Sequence, residues 1–402
     1  MKRLPSIDIA RGLVMIIMAL DHTRDFLHVD ALAQSPTNLA TTTPVLFFTR
    51  WITHLCAPSF VFLSGASAAM SMSSAADPIH GKGLPAARRF LLRRGIILVL
   101  IEFTIVNFAL SFDLHFRLLI FEVIATIGMG FIFLSFLSRL SIKILLVLTL
   151  LLFFGHDLLT PSAQMAADIT PPGAMTMTAR FIRALFLSPN AFPLAPHLLF
   201  VIAYPVLPWL GIMLTGFAAG RWFQRPAEQR KKLFLRLGLA SLGLFLLLRF
   251  INIYGDPDHW SLQKNTVFTV LSFLNVSKYP PSLLFRLVTL GVLFLILSAT
   301  EARDNKATRI LLVYGRTPLL YFIIHLYLIH LILLLIAFLQ GFSPTDLNFA
   351  PFQFGRPATG FGLPLAGVYA VWLGVVIALY PLCRWYGRYK AAHPEKGWLR
   401  YF

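Results

Sequence analysis

Long uninterrupted apolar runs, broken by short polar or basic stretches, recur from one end of the chain to the other. Crossing a membrane's hydrocarbon core takes about 20 apolar helical residues, at roughly 1.5 Å rise each. Runs of that order predict spans near 6–26, 47–72, 95–112, 117–137, 143–159, 198–222, 233–253, 281–299, 311–339 and 362–385. They are apolar throughout instead of alternating over about ten residues, which selects helices over a transmembrane barrel. The expected fold is an all-α polytopic integral membrane protein of about ten transmembrane helices, with residues 1–402 as a single domain. No fixed-period repeat or low-complexity linker divides it. Connections 27–46, 160–197, 254–280 and 340–361 are rich in Pro, Ser, Thr, Asn or Gly and read as loops. In the second of these, Thr170-Pro171-Pro172-Gly173 precedes Phe181 to Leu187, a candidate short interfacial helix.

Composition sharpens this picture. Apolar residues make up 57% of the chain and charged ones only 13%, against about 25% charged in soluble domains, so a water-soluble fold is excluded. The net charge of +18 raises nucleic acid as a partner, and its distribution removes that idea. With the N-terminus inside, 23 Lys and Arg of the loops and ends fall on the cytosolic side and 8 on the other. Basic residues are retained where insertion begins, so both termini are expected to be cytosolic, N-in and C-in. The same basic rim suits an anionic cytosolic ligand or lipid headgroups. Residues 1–33 imitate a signal peptide, but Asp8, Arg11 and the polar block at 21–25 interrupt the apolar part, which reads as a span. Cys56 and Cys383 fall near opposite ends of membrane helices and form no disulfide framework. Nor is there a His-Glu-x-x-His motif, phosphate loop, dinucleotide fingerprint or nucleophile elbow, so no metal is expected.

Polar residues inside spans carry the functional signal, because each charge there costs about 2.5–3.5 kcal/mol on insertion scales. Asp8, Arg11, Met15, Met18, His22 and Asp25 recur at intervals of three or four and share one helical stripe. Arg11 and His22 stand roughly 16 Å apart along it. Asp21 and Asp25 flank His22, where a carboxylate either orients the ring or pairs with Arg24. The block 21–25 also reads as the polar end of a helix. Arg50 and His54 lie one turn apart, before Pro58, and enter from the same side as His22. His54 reads equally as a catalytic histidine and as one bonded to a neighbouring helix. Glu122, Arg249, Arg286 and Arg316 follow, then Tyr321 and His325 on one face as a candidate site wall. His330 points elsewhere and is expected to bond another helix. Lys278-Tyr279-Pro280-Pro281-Ser282 is either an acceptor-binding lip or a rigid helix start.

Ser6 to Leu13, the block Asp21 to Phe26, Phe48 to Gly65, Lys278 to Ser282 and Tyr314-Gly315-Arg316-Thr317-Pro318 together resemble the bacterial DUF1624 family. That family is related to the catalytic domain of heparan-alpha-glucosaminide N-acetyltransferase. The blocks run from the first span to the ninth, and Tyr380-Pro381-Leu382-Cys383 also fits, so the resemblance covers nearly the whole chain. It implies a transmembrane acyltransferase, multi-pass in the bacterial inner membrane, that moves an acyl group from cytosolic acyl-coenzyme A to a sugar or glycan acceptor. The implied donor is acetyl-CoA. Arg11 and His22, with ten residues between them, also match the spacing of the related acyltransferase-3 proteins. There the arginine is associated with the donor and the histidine with catalysis, which carries over to Arg11 and His22. The lysosomal enzyme has an asparagine where His22 stands and its histidine further along, so His28 and His54 remain alternative bases.

The expected catalytic set is therefore His22, Asp21 and His54. Arg11, Arg24, Asp25, Arg50, Lys278, Tyr279, Arg316, Tyr321 and His325 form the expected substrate-binding set, with Arg24 or Arg50 as oxyanion donor. The lipid bilayer, the acyl donor and the acceptor are the expected partners, and a homodimer is left open. A proton-coupled transporter of a sugar or lipid precursor is the rival reading. A noncatalytic scaffold would bind neither donor nor acceptor.

Overall fold

The computed structural model describes residues 4–76, 83–159 and 175–401; Thr170-Pro171-Pro172-Gly173 lies outside them. Helix accounts for 69% and strand for little. Helix α1 (Pro5–Leu27) starts with proline at its first position, where a missing N–H costs nothing. A second run comprises α2 (Pro44–Ile52), a 3₁₀ turn over Thr53–Leu55 and α3 (Cys56–Ala75). Pro58 has no N–H to give the carbonyl of His54, which fits the break falling there. Helix α4 (Leu84–Ile101) continues through a π turn at Glu102–Val106 into α5 (Asn107–Ser111).

Next come α6 (Val123–Leu137), α7 (Ile142–Phe154), α8 (Met177–Phe186), α9 (Val206–Ala219), α10 (Ala227–Ile251) and α11 (Thr266–Leu274). The last four are α12 (Leu283–Thr300), α13 (Lys306–Gly315), α14 (Pro318–Leu339) and α15 (Leu365–Ala392). Among the described residues, six helical runs are long and apolar enough to cross a membrane: Pro44–Ala75, Leu84–Ser111, α10, α12, α14 and α15. α6 and α7 are apolar but shorter. Leu239, Leu247, Phe250, Leu335, Leu339 and Ile377 stay exposed on these helices, as a lipid-facing surface requires.

Three differences from the sequence expectation stand out. The fold is not purely helical: β1 (Leu118–Phe121) pairs parallel with β3 (Leu198–Ile202), and β2 (Asn190–Ala195) pairs antiparallel with β3. Both apolar runs were expected to begin spans, but an apolar segment of four or five residues reads alike as strand or buried helix. The Asn107 side chain holds β1 in place, donating to the Ile120 carbonyl (3.0 Å) and accepting from its N–H (2.6 Å). Second, the expected span 311–339 is two helices, parted at Arg316 and Thr317 ahead of Pro318. Third, the interfacial helix expected at Phe181 to Leu187 begins earlier, at Met177.

α1 is the central helix, packed against α3, α12, α13, α14 and α15. Its polar stripe therefore faces protein, with Asp8 and Arg24 buried and Arg11, Asp21 and His22 partly so. Backbone contact with α13 sets its position. A Cβ on Gly12 would stand 1.9 Å from the Leu311 carbonyl oxygen, and one on Gly315 1.7 Å from that of Asp8. Small residues are what allow membrane helices to approach so closely. Gly315→Val is expected to lower stability by about 1–3 kcal/mol, read as an earlier thermal unfolding midpoint; an unchanged midpoint would contradict this packing.

Candidate active site

At the end of the bundle where α1 begins, the Arg11 guanidinium is held from three directions. It donates to the Leu63 carbonyl (3.1 Å) and Ser67 Oγ (2.5 Å) and faces Asp8 Oδ1 at 3.4 Å. Arg11 borders a cavity of about 240 Å³ whose wall also includes Arg94, Arg316 and Lys390. Four cations thus line one cavity. The rest of the wall is largely apolar and includes Met15, Ile127 and Phe322. Phe322 is its boundary towards two histidines, lying edge-on to His22 at 6.2 Å and to His325 at 5.7 Å between ring centres. Neither histidine lines the cavity. About 10 Å of α1 separates Met15 from His22, and one turn of α14 separates Phe322 from His325.

His22 Nδ1 lies 2.7 Å from His325 Nε2, and His325 Nδ1 lies 2.9 Å from the Tyr321 carbonyl oxygen. His325 is fully buried, its ring stacked on Tyr321 at 5.4 Å. The sequence places Tyr321 and His325 on one face of their helix; their meeting with His22 is a tertiary event. Tyr321 presents its carbonyl and ring to this group, while its hydroxyl has no hydrogen-bond partner among the described residues.

Asp21 takes the salt-bridge alternative. Its carboxylate pairs with Arg24 at 2.9 Å and Arg50 at 3.2 Å, and it is His325, not Asp21, that hydrogen-bonds the ring of His22. Arg24 also pairs with the half-exposed Asp25, and its Nε and Nη1 are buried without hydrogen-bond partners among the described residues. Arg50 additionally donates to Thr53 Oγ1 (2.8 Å). Lys278 is buried, its ammonium 4.9 Å from the ring centre of Tyr279 and 5.7 Å from that of Tyr204, as cation–π contacts allow. It lies within electrostatic range of Asp21, His22 and His54.

Asp256 pins the loop that carries Lys278 and Tyr279, accepting from the Ser277 N–H (2.9 Å) and Ser282 Oγ (2.6 Å). Burial pushes its carboxyl up to about 6.

His54, His28 and His330 take no part in the His22–His325 contact. His54 is buried against Phe285 at 5.4 Å and borders a separate cavity of about 50 Å³ with Trp51 and Val288. Among the described residues it shares no hydrogen bond or ring contact with His22. His28 follows α1, and its carbonyl accepts from Arg356 (2.9 Å); burial holds its ring below the usual histidine range. His330 bonds the Ala109 carbonyl (3.2 Å) and stacks on Phe112 at 3.9 Å, a helix-to-helix role. Arg249 and Arg286 are also structural: Arg249 donates to the carbonyls of Ser272, Phe273, Asn275 and Asp258. Among the described residues no group of three or more His, Cys, Asp or Glu could hold a metal ion.

Arg94, Lys390 and Phe322 are not marked individually by the sequence. The two cations belong there to a basic rim suited to an anionic ligand, and an apolar residue in an apolar span carries no distinguishing signal.

None of the curated proteins compared matches the chain. The family model for heparan-alpha-glucosaminide N-acetyltransferase, catalytic, matches residues 3–249, which include Arg11, His22, Arg24, Arg50 and His54. Lys278, Arg316, Tyr321 and His325 lie beyond that segment. A match over more than half of the 402 residues, joined to a membrane-embedded helical fold, is decisive: the chain belongs to the heparan-alpha-glucosaminide N-acetyltransferase catalytic-domain family, a family of membrane acetyltransferases.

Proposed function

We propose that the chain, acting as one membrane domain with both termini in the cytosol, transfers an acetyl group from cytosolic acetyl-CoA to a sugar or glycan acceptor on the far side of a bacterial inner membrane. The reading is supported above all by the cavity, whose wall holds four cations together with Phe322, which is in edge contact with His22. Phosphates of the donor suit Arg11, Arg94, Arg316 and Lys390. The apolar part of the wall suits an uncharged pantetheine arm, which leads the thioester toward His22. The acceptor hydroxyl or amine enters past Lys278 and Tyr279 and loses its proton to His22 as it attacks the thioester carbon. Arg24, with unused N–H donors, or Arg50 stabilises the oxyanion. Both lie beside Asp21, which balances their charge.

A ligand that binds only the folded protein stabilises it, by about 2.7 kcal/mol at 100 times its Kd. Acetyl-CoA is expected to raise the thermal unfolding midpoint of the purified protein, and Arg11→Gln together with Arg94→Gln to weaken that shift. The absence of any shift with acetyl-CoA at millimolar concentration would sink the donor assignment.

A further inference from the structure

We infer that His325 is a positioning residue that fixes the tautomer of His22 and thereby selects Nε2 as the atom that receives the acceptor's proton. The catalytic part rests on the acyltransferase reading; the tautomer is a property of the resting protein. The Tyr321 carbonyl has no hydrogen to offer, so the N–H of the contact at 2.9 Å belongs to His325 Nδ1. A neutral imidazole that donates from Nδ1 has only a lone pair at Nε2. That lone pair faces His22 Nδ1 at 2.7 Å, so His22 is the donor there. One ring proton is then committed to His325, and His22 Nε2 is left bare.

The surroundings hold this arrangement. His325 is fully buried between the Tyr321 ring, stacked at 14°, and the edge of Phe322. The carboxylate nearest in sequence does not compete, because Asp21 is engaged by Arg24 and Arg50. In the transfer step the acceptor's proton passes to His22 Nε2 while its oxygen or nitrogen bonds to the acyl carbon. The C–S bond breaks, its electron pair leaves on the coenzyme A sulfur, and the sulfur then takes up the proton. Positive charge formed on His22 in between strengthens the Nδ1–H to Nε2 bond to His325, since charge-assisted hydrogen bonds are about twice as strong as neutral ones.

The test is nitrogen-15 NMR of histidine-labelled protein in lipid nanodiscs at about pH 8, where histidines are neutral, with His22 assigned by the signal lost in His22→Ala. The expected spectrum shows His22 protonated at Nδ1 and bare at Nε2. His325→Leu is expected to give His22 a substantial Nε2–H population. His325→Gln, whose amide oxygen still accepts, is expected to preserve the Nδ1–H form. In turnover the Leu variant should lose kcat by about 100-fold at unchanged donor KM, with the Gln variant recovering at least tenfold of it. A wild-type spectrum with Nε2 protonated overturns the inference, whether or not the variants fold. So does a folded Leu variant with an unchanged His22 tautomer. Acyl transfer that survives His22→Ala would instead remove the histidine mechanism and leave the tautomer result standing.

Discussion

Replacing His22 with alanine is expected to reduce acyl transfer by about 10²–10⁴-fold, the range that a positioned general base supplies. Donor binding should hardly change. Arg11 contacts Ser67 and the Leu63 carbonyl, and eleven residues of helix, roughly 16 Å, separate it from His22. The thermal shift caused by acetyl-CoA in His22→Ala should therefore match that of the parent protein while turnover collapses. The comparison with His54 makes the result specific. His54 borders a different cavity and rests on Phe285, so His54→Ala is expected to cost stability more than rate. His28, tied into the loop contacts of Arg356 and Leu363, is expected to behave the same way. If His54→Ala abolishes turnover and His22→Ala does not, the base is His54 and the relay through His325 has no part in the chemistry.

What was legible in the sequence follows from how local each feature is. The stripe from Asp8 to Asp25 could be read because its spacing is set by 3.6 residues per turn, whatever the helix packs against. The choice between the two roles of Asp21 could not, because Arg50 reaches it from another helix, 29 residues away. The partner of His22 is 303 residues distant in sequence, and no spacing rule connects them. Apolar segments 118–121 and 198–202 were expected to be helical because continuous apolar runs carry no period, and only pairing between them reveals strands. Similarly, Arg94 and Lys390 carried a topological meaning in the sequence and acquired a local one only when α4 and α15 brought them to the cavity of Arg11.

Arg286→Leu is expected to destabilise the protein by about 3–5 kcal/mol, the penalty for stripping a buried charge of its partner. Arg286 is fully buried in the first turn of α12. It pairs with Asp157 just beyond α7 and donates to the carbonyls of Leu152 (2.9 Å) and Ser282 (3.0 Å). Its guanidinium also lies 5.3 Å from the ring centre of Phe153. Asp157 in turn accepts from the Leu283 N–H (2.9 Å), so the pair clamps the end of α7 to the start of α12. α12 follows directly on the Lys278-Tyr279 loop, and loosening the clamp should disorder the side of the site that faces the acceptor while sparing the donor cavity. Leucine leaves Asp157 with no counter-ion and the Leu152 carbonyl without the guanidinium donor, while the Ser282 carbonyl keeps the backbone N–H of residue 286 (3.0 Å); a stripped partner costs more than the lost attraction alone. The double variant Arg286→Leu with Asp157→Leu removes both charges and is expected to recover much of the loss, since a buried pair replaced by apolar groups is often near neutral. Unfolding midpoints of the two single variants and the double variant form a cycle that isolates the coupling. A single-variant loss below about 1 kcal/mol, or a double variant as unstable as the sum of the singles, would show that the pair does not hold α7 to α12.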